Sequence, residues 1–245
     1  MSSSDTPALS IIIPALNEAH SIGPTLDAVS HLSGWVEVIV VDGGSDDGTR
    51  EIASVHGAMV IASEGGRGVQ MHKGACAAQG EALWFLHADT VVPADGAHLI
   101  VKTLHDRRVV AGNFNICFNG HGRPARFMTW LYPQLRRLGL CYGDSAIFVR
   151  RESYELVGGF RSFPIFEDLD LLRELRNVGR IVHVPATVVT SSRRFEGRSF
   201  VITFTRWVVM QLLYWLGVSP RRLGRFYAPQ CESRGELKTG TSGIF

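Results

Sequence analysis

Single carboxylates follow two apolar runs of the sequence. An apolar run at residues 82–86 is closely followed by Asp89, and a similar run at 36–41 is followed directly by Asp42. Runs of this length are typical of strands buried on both faces. Open α/β sheets bind ligands at the carboxyl ends of their strands, where carboxylates suit a divalent cation that neutralises a diphosphate. The alternative for Asp89 is that it caps the following helix.

Glycines follow the second and third predicted strands. Gly43 and Gly44 let the backbone approach a ligand closely, or form a tight turn. The glycine-rich loop at 64–68 carries Arg67 and leads into a predicted helix, an arrangement that can bind phosphate. For Asp46 and Asp47 we expect a place in the first turn of a helix, where the macrodipole favours acidic residues.

The first predicted strand is followed by polar residues and not by glycines, which argues against a nicotinamide-binding Rossmann domain. Asn17 and Glu18 stand at the expected mouth of the sheet. They can hydrogen-bond a nucleobase or ribose, or Asn17 can cap a helix whose dipole favours Glu18. Both interpretations stay open.

Strands and helices alternate four times in the first half of the sequence. We expect strands at 9–13, 36–41, 58–62 and 82–86, and helices at 18–31, 46–56 (with Ser45 as N-cap), 69–79 and 94–105. The less regular second half suggests strands at 110–118, 147–150 and 181–184, and helices at 167–177 and 199–216. This order predicts an α/β fold with a mostly parallel sheet and helices on both faces.

The 245 residues, 45% of them hydrophobic, fit one globular domain with a C-terminal extension. The net charge of +2 is unevenly distributed. Residues 1–120 hold 6 basic and 13 acidic side chains, whereas residues 121–245 hold 19 and 10. A basic second half can indicate phosphates, an acidic lipid surface or nucleic acid as partner. No nucleic-acid motif accompanies the charge, so we expect no nucleic-acid partner.

The cysteines are far apart and form no CxxC pair: Cys76, Cys117, Cys141 and Cys231. They predict reduced, mostly buried thiols in a reducing compartment, and argue against a zinc site or a disulfide framework. The short polar N-terminus lacks a basic region followed by an apolar core, so we expect no signal peptide and a cytoplasmic location.

Several motifs in order resemble the family 2 glycosyltransferases, which are nucleotide-sugar-dependent enzymes of the GT-A fold. They are Pro14-Ala15-Leu16-Asn17-Glu18, Asp42-Gly43-Gly44-Ser45 and His87-Ala88-Asp89. The closer resemblance is to a bacterial subgroup, the radical-SAM/selenodomain-associated transferases. It is carried by Gly66-Arg67-Gly68-Val69-Gln70-Met71, Phe85-Leu86-His87-Ala88-Asp89-Thr90 and Ser192-Arg193-Arg194-Phe195. The resemblance spans roughly residues 9–227.

The resemblance implies a nucleotide-diphosphate-sugar donor. Asp89 would be the last position of a DxD-type motif and bind Mg²⁺ or Mn²⁺ on the diphosphate. The chain departs from the family pattern at His87, in the usual first Asp position, and at Gly43, which replaces one of an acidic pair. His87 either hydrogen-bonds ribose or is an ordinary strand-end histidine. The donor-binding candidates are Pro14, Asn17, Glu18, Asp42, Gly43, Arg67, Gln70, His87, Ala88, Asp89, Arg193 and Arg194.

Glu167-Asp168 resembles the Glu-Asp motif that provides the catalytic base in this family. An inverting transferase needs a carboxylate that takes the proton of the acceptor hydroxyl as its oxygen attacks the anomeric carbon. We expect Asp168 to be this base, with Glu167 as the second candidate. The alternative is an acidic helix N-terminus.

Two further pairs have open interpretations. Gly143 and Asp144 resemble the family's acceptor-side loop, although a turn aspartate is the alternative. Arg193 and Arg194 stand where relatives carry basic residues near the diphosphate, or they belong to a solvated surface.

The segment 207–216 is apolar almost all round, but shorter than the ~20 residues that span a bilayer. It is a buried helix, a dimer contact or an interfacial membrane helix. Arginines at 206, 221, 222 and 225 suit an anionic lipid surface. Peripheral contact through 199–225 with the inner face of the membrane would fit a lipid-linked hydroxyl acceptor.

We therefore predict one glycosyltransferase domain at 9–228, between a flexible N-terminus at 1–8 and a disordered tail at 229–245. Its parts are a nucleotide-sugar-binding half (9–106), an acceptor and catalytic half (107–197) and a helical extension (198–228). Two alternatives stay open. The first is a sugar-phosphate nucleotidyltransferase, and the second is a non-catalytic nucleotide- or lipid-binding module.

Overall fold

The computed structural model describes residues 7–137, 145–193 and 199–225. The strands in these ranges are β1 (Leu9–Ala15), β2 (Val36–Asp42), β3 (Met59–Ala62), β4 (Ala82–Phe85), β5 (Thr90–Val91), β6 (Val109–Phe118), β7 (Phe148–Arg150) and β8 (Arg180–Thr190). The helices are α1 (Ile22–Ser30), α2 (Thr49–Val55), α3 (Arg67–Ala77), α4 (Gly96–Leu104), α5 (Arg123–Arg137), α6 (Arg151–Leu156), α7 (Glu167–Arg176), α8 (Phe200–Trp215) and α9 (Pro220–Gly224).

The strands form one mixed sheet in the order β3-β2-β1-β4-β7-β6-β8-β5. The first four are parallel, as are β6 and β8, while β7 and β5 run antiparallel to their neighbours. The predicted α/β fold with a mostly parallel sheet is confirmed. Because the parallel strands end at one edge, β1, β2 and β4 deliver their last residues to the same place.

Both faces of the sheet are buried. Ile11 and Ile13 face a core that also receives side chains from α1, α4, α5 and α8, whereas Ile12 faces a core shared with α3, α6 and α7. Successive strand residues point to opposite faces, which is why β1 is apolar at every one of these positions. Trp84 is completely buried and donates from Nε1 to the carbonyl of Ala146 at 3.1 Å.

The predicted starts of the first two helices are wrong. Helix α1 begins at Ile22, because residues 18–21 form a turn in which the carbonyl of Glu18 accepts from the amides of Ser21 and Ile22. Helix α2 begins only at Thr49, after Gly48 in the left-handed conformation at φ +88°. Ser45 is therefore not its N-cap, and Asp46 and Asp47 precede its first turn.

The alternative of helix capping by Asp89 or Asn17 is wrong too. Helix α4 begins at Gly96, seven residues beyond Asp89. Ser21 occupies the N-cap position of α1, so Asn17 does not cap it. Both side chains are thus available for other contacts at the edge of the sheet.

Some elements were not predicted. These are β5 and helices α5, α6 and α9, and β8 continues six residues beyond the predicted end at 184. The helix at 199–216 is present as α8. No helix in the described ranges combines the length and the apolar character that crossing a membrane requires.

Several expectations concern the chain ends and the cysteines. The carbonyls of Pro7 and Ala8 already accept hydrogen bonds from Glu81 and Ala82, so both residues join the start of the sheet. Cys76 is exposed and Cys117 half-buried, both as free thiols, so the prediction of burial is wrong for Cys76. Gly143, Asp144, Arg194, Cys141, Cys231 and the tail at 229–245 lie outside the described residues.

Candidate functional site

Asp42 ends β2 and organises the loop that follows it. Its fully buried carboxylate accepts hydrogen bonds from the amides of Gly44 and Ser45 and from Arg50 Nε at 2.5 Å. Burial alone would raise the pKa of Asp42, but the hydrogen bonds from Ser45, Arg50 and Gly44 hold it below its ordinary value. Asp42 is therefore ionised at neutral pH, at the end of a strand that has neighbours on both sides.

The loops after β1 and β2 are tied together by side chains. Asn17 lies in the left-handed region at φ 54°. Its side-chain Oδ1 accepts from the backbone amide of Asp46, and its backbone amide donates to Ser45 Oγ. Asp47 accepts from the amides of Ala19 and Thr49. Burial would raise the pKa of Asp47, but these hydrogen bonds and that of the Thr49 hydroxyl lower it. The loops thus hold a fixed shape beside the strand ends.

Gln70 lies under these loops. It is buried, and its Nε2 donates to the carbonyls of Ala15 and Val41, each at 3.0 Å. A Cβ at position 43 would stand 2.7 Å from that nitrogen, so the lack of a side chain at Gly43 makes room for the contact. Pro14 is also buried, within β1. The structure thus places Pro14 and Gln70 inside the fold, behind the loops that follow β1 and β2.

Arg193 contacts the carboxylates of both Glu18 and Asp89. Its Nη2 donates to Glu18, its Nη1 to Ser21 Oγ at 3.0 Å, and its Nε lies 3.4 Å from Asp89 Oδ2. Thr190, the last residue of β8, donates to Asp89 Oδ1 at 3.4 Å. We call Arg193, Glu18 and Asp89 the Arg193 cluster. It joins the ends of β1, β4 and β8 in one place.

A second arginine gathers the candidate base. Arg67, at the start of α3, donates from Nε to Glu167 at 2.6 Å, and its Nη2 lies 3.7 Å from Asp168 Oδ2. Its Nη1 lies 2.8 Å from His87 Nε2. We call Arg67, His87, Glu167 and Asp168 the Arg67 cluster. One guanidinium therefore connects the 87–89 motif with the Glu167-Asp168 motif of the second half.

The backbone at the start of α7 sets the direction of the two acids. Phe166 precedes the helix in the left-handed conformation at φ 63°, and Glu167 and Asp168 occupy the first turn, where the dipole favours them. The amide of Leu169 donates to Asp168 Oδ1 at 2.7 Å. A Cβ at Gly68 would lie 2.9 Å from the carbonyl oxygen of Arg161. Glycine at this position therefore permits the close approach of α3 to the backbone at Arg161.

The remaining member of the 87–89 motif is buried. Ala88 is 4% exposed, and its carbonyl accepts from Thr25 Oγ1 at 2.9 Å. The structure therefore turns His87 toward Arg67 and Asp89 toward Arg193, with Ala88 anchored between them.

A divalent cation has few protein ligands to use here. Among the described residues, no three His, Cys, Asp or Glu side chains form a group that could hold a metal ion. Asp89 nevertheless supplies a hard oxygen ligand, and Mg²⁺ at a phosphate is commonly held by one or two carboxylates plus phosphate oxygens and water. The donor set fits a cation that arrives with a diphosphate.

Comparisons with known proteins assign the fold and the family. The family model for glycosyl transferase family 2 matches residues 10–154. The chain belongs to glycosyl transferase family 2. It is thus a glycosyltransferase with the GT-A fold, as the motifs predicted.

Two curated relatives illustrate the similarity of this glycosyltransferase. It is 31% identical over 130 residues to glucosyl-3-phosphoglycerate synthase of Mycolicibacterium paratuberculosis, a match that spans 43% of the chain and only 39% of the synthase's length. It is 27% identical over 215 residues to a PGL/p-HBAD biosynthesis glycosyltransferase of Mycobacterium bovis, over 80% of each chain.

A solved structure shows the same fold. The mannosyltransferase PcManGT from Pyrobaculum calidifontis, in complex with GDP-Man and Mn²⁺, superposes with a TM-score of 0.68. The superposition covers 91% of this chain and 70% of the mannosyltransferase, at 19% sequence identity. At this identity the similarity concerns the fold.

The sequence did not indicate the partners of the two arginines. Arg67 and Glu167 are 100 residues apart in the chain, and Arg193 and Glu18 are 175 apart. Thr190 was missed because the expected strand ended at 184. Its only signal in the sequence is the β-branched run that continues to the end of β8.

Proposed function

We propose that the protein transfers a sugar from a nucleotide-diphosphate donor to a hydroxyl acceptor with inversion at the anomeric carbon. The observation that carries the proposal is the set of three contacts made by Arg67. The same guanidinium reaches His87 of the donor-side motif and Glu167 and Asp168 of the catalytic motif. A donor bound at the strand ends would therefore lie within reach of the base.

Asp168 is the proposed base. Its carboxylate takes the proton of the acceptor hydroxyl while the acceptor oxygen forms a bond to the anomeric carbon. The bond from that carbon to the diphosphate oxygen breaks, and the diphosphate leaves with the electron pair. Asp168 is almost completely buried and aligned by the Leu169 amide, so the oxygen that takes the proton is held in a defined position.

Asp89 is the proposed ligand of Mg²⁺ or Mn²⁺. A divalent cation bound there supplies stabilisation of the negative charge on the departing diphosphate. The proposal is supported by the strand-end position of Asp89, by the proximity of Arg193 and by the Mn²⁺ and GDP-Man in the structurally similar mannosyltransferase. Arg193, which forms ion pairs with Asp89 and Glu18 in this structure, is the proposed cationic partner of the diphosphate.

The nucleoside is proposed to bind along the loops after β1 and β2. Asn17 and Glu18 stand at this edge, with Asp42 and Gly43 behind them. Gln70 supports the edge from inside, because it joins the carbonyls of Ala15 and Val41. The assignment to the radical-SAM/selenodomain-associated subgroup also remains a proposal, and the motifs around Arg67, His87 and Arg193 support it.

Product analysis tests this function. The full chain is incubated with each of a panel of nucleotide sugars and Mn²⁺, and release of nucleoside diphosphate is measured with and without metal chelation. We expect metal-dependent release with at least one donor, lost in Asp89→Asn and retained in the surface variant Asp95→Asn. Metal-independent release, or pyrophosphate release from a sugar phosphate and a nucleoside triphosphate, would contradict the proposal. The anomeric configuration of the transferred sugar, read by NMR, tests inversion.

A further inference from the structure

Helix α8 exposes an apolar face away from the core. Its inner face packs through Phe204, Trp207 and Met210, whereas the opposite face leaves large apolar side chains in solvent. These exposed side chains are Val201, Ile202, Val209, Leu212 and Trp215, with Leu216 directly after the helix. Contiguous exposed apolar surface of this kind marks an interaction site in a soluble domain.

The apolar face continues onto helix α5. Phe127 of α5 makes edge-to-face ring contacts with Phe200 and Phe204 of α8, at centroid distances of 5.9 and 5.7 Å. Phe127 also contacts Trp130, which is 62% exposed. Trp130 and Trp215, which is 58% exposed, are thus large amphipathic rings on two neighbouring helices. We call this combined area the α5–α8 surface.

The helices that form the α5–α8 surface carry charges of one sign in their own sequences. Residues 199–225 contain four arginines and no aspartate or glutamate, and residues 123–137 of α5 also lack acidic residues. Arg221, Arg222 and Arg225 are exposed on and directly after α9, which follows α8. Basic residues beside apolar and tryptophan side chains complement an anionic lipid surface, where tryptophan prefers the headgroup level.

Helix α8 is too short to cross a bilayer. Its 16 residues span about 24 Å at 1.5 Å per residue, less than the ~30 Å hydrocarbon core of a bilayer. Arg206 interrupts the apolar sequence near its middle and is exposed. A helix that is too short to span a bilayer but exposes an apolar face can lie in the plane of the interface with its apolar side chains inserted.

We propose that the α5–α8 surface docks the protein onto an anionic lipid bilayer. Helix α8 begins seven residues after Arg193, and the ring of Tyr214 packs on Phe166, which precedes Glu167, at 4.9 Å. Docking therefore brings the candidate site close to the membrane surface, where a lipid-linked hydroxyl acceptor would be found. Membrane binding needs no sugar transfer, so this inference is independent of the proposed reaction.

Vesicle flotation tests the docking. The full chain is mixed with vesicles of phosphatidylcholine alone, or of phosphatidylcholine with about one third phosphatidylglycerol. We expect binding to the anionic vesicles, weak binding to the neutral ones, and a decrease of binding as salt is added. Tryptophan fluorescence should shift to the blue on binding and be quenched by brominated lipid, because Trp130 and Trp215 enter the interface.

Matched variants locate the surface. Trp130→Gln with Trp215→Gln should reduce vesicle binding by at least about tenfold, whereas Trp35→Gln, at a tryptophan that is 54% exposed and directly precedes β2, should not. Arg221→Gln with Arg222→Gln should reduce it by roughly 25-fold, at about fivefold per arginine, whereas Arg107→Gln with Arg108→Gln should not. Circular dichroism confirms that each variant is folded.

Several outcomes overturn the proposal. They are no binding of the wild type to anionic vesicles, equal binding to neutral vesicles, or equal losses in the test and control variants. A dimer detected by light scattering that the tryptophan variants dissolve, without vesicle binding by the wild type, assigns the surface to a second copy instead. Should the double variants fail to fold, the salt dependence and brominated-lipid quenching of the wild type decide.

Discussion

The two arginine clusters of the site share chemistry but differ in burial. In the Arg67 cluster the side chains of Glu167 and Asp168 are only 4% and 5% exposed, and Arg67 joins two helix N-termini. In the Arg193 cluster those of Glu18 and Asp89 are 17% and 15% exposed, and Arg193 itself is half exposed. The first cluster is a buried part of the fold, and the second opens to solvent.

This difference suggests different roles for two similar residues. A buried carboxylate pair without a cation would be costly, so Arg67 has a structural reason to stay where it is. An ion pair that solvent reaches contributes little to stability and can exchange partners. We therefore assign Arg67 to positioning the base, and Arg193 to a contact that a donor diphosphate can take over.

The largest expected effect concerns the base within the Arg67 cluster. Asp168→Asn keeps the size of the side chain but cannot take a proton, so kcat should fall by about 10²–10⁴. Asp170→Asn, two residues later in α7 and equally buried, should retain activity within about tenfold. Steady-state kinetics on both variants, with circular dichroism for folding, makes the comparison. Near-normal sugar transfer by Asp168→Asn would show that Asp168 is not the base.

The next largest effect is a difference in protein stability when the arginine of each cluster is replaced. Arg67→Met leaves Glu167 and Asp168 buried without their cation, so we expect a loss of about 2 kcal/mol, reduced from the buried-pair value because Arg67 is one third exposed. For a chain of this size this lowers Tm by about 4–8 °C. Arg193→Met should cost at most about 1 kcal/mol. Equal losses in thermal unfolding would abolish the distinction between the clusters.

Arg193 should instead affect donor binding. Because its guanidinium is the proposed diphosphate partner, Arg193→Met should raise KM for the donor and lower kcat/KM by roughly tenfold, with a smaller change in kcat. Arg180→Met, at an exposed arginine at the start of β8, is the matched control. An unchanged KM in Arg193→Met would place this arginine outside the donor contact.

The smallest effect is a pH dependence beside the Arg67 cluster. Burial raises the pKa of Asp170 above its ordinary value, although Arg161 and Arg173 lower it. The folded state therefore holds this proton more tightly than the unfolded one, and the resulting stability is lost as pH rises through the folded pKa. Asp170→Asn should gain stability over the wild type at neutral pH, by at most about 1 kcal/mol.

The gain should disappear as pH falls toward the ordinary range of an aspartate. Thermal unfolding of both proteins between pH 4 and pH 7.5 measures this difference. A wild-type advantage that grows toward neutral pH would instead mean that the ion pairs with Arg161 and Arg173 outweigh the cost of burial.

Local patterns predicted the first half of the fold well. Periodic apolar residues located β1, β2, β3, β4 and the helices between them. Single carboxylates at strand ends indicated the edge where the candidate site lies. The predicted start of α2 was wrong because the conformation of a single residue determines where this helix begins. Gly48, in a left-handed conformation, delays α2 to Thr49, and composition does not reveal that conformation.

The second half was harder because its contacts are distant in sequence. Helix α5 contains Pro133 and exposes Phe127 and Trp130, so its apolar residues do not trace one buried stripe. The contacts of Arg67 with Glu167 and of Arg193 with Glu18 join residues that are 100 and 175 positions apart. Residue types suggested both arginines as phosphate partners, but only the fold shows that one of them holds the candidate base.

A thermal-shift titration of nucleoside diphosphates tests the central claim. The claim is that Asp89 binds the metal ion at the donor diphosphate, whereas Asp168 acts as the base and is not needed for donor binding. A ligand that binds only the folded state raises its apparent stability. At least one nucleoside diphosphate should raise the Tm of the wild type and of Asp168→Asn only when Mn²⁺ or Mg²⁺ is present, and this rise should be lost in Asp89→Asn. No metal-dependent rise with any diphosphate, or an undiminished rise in Asp89→Asn, would contradict the account.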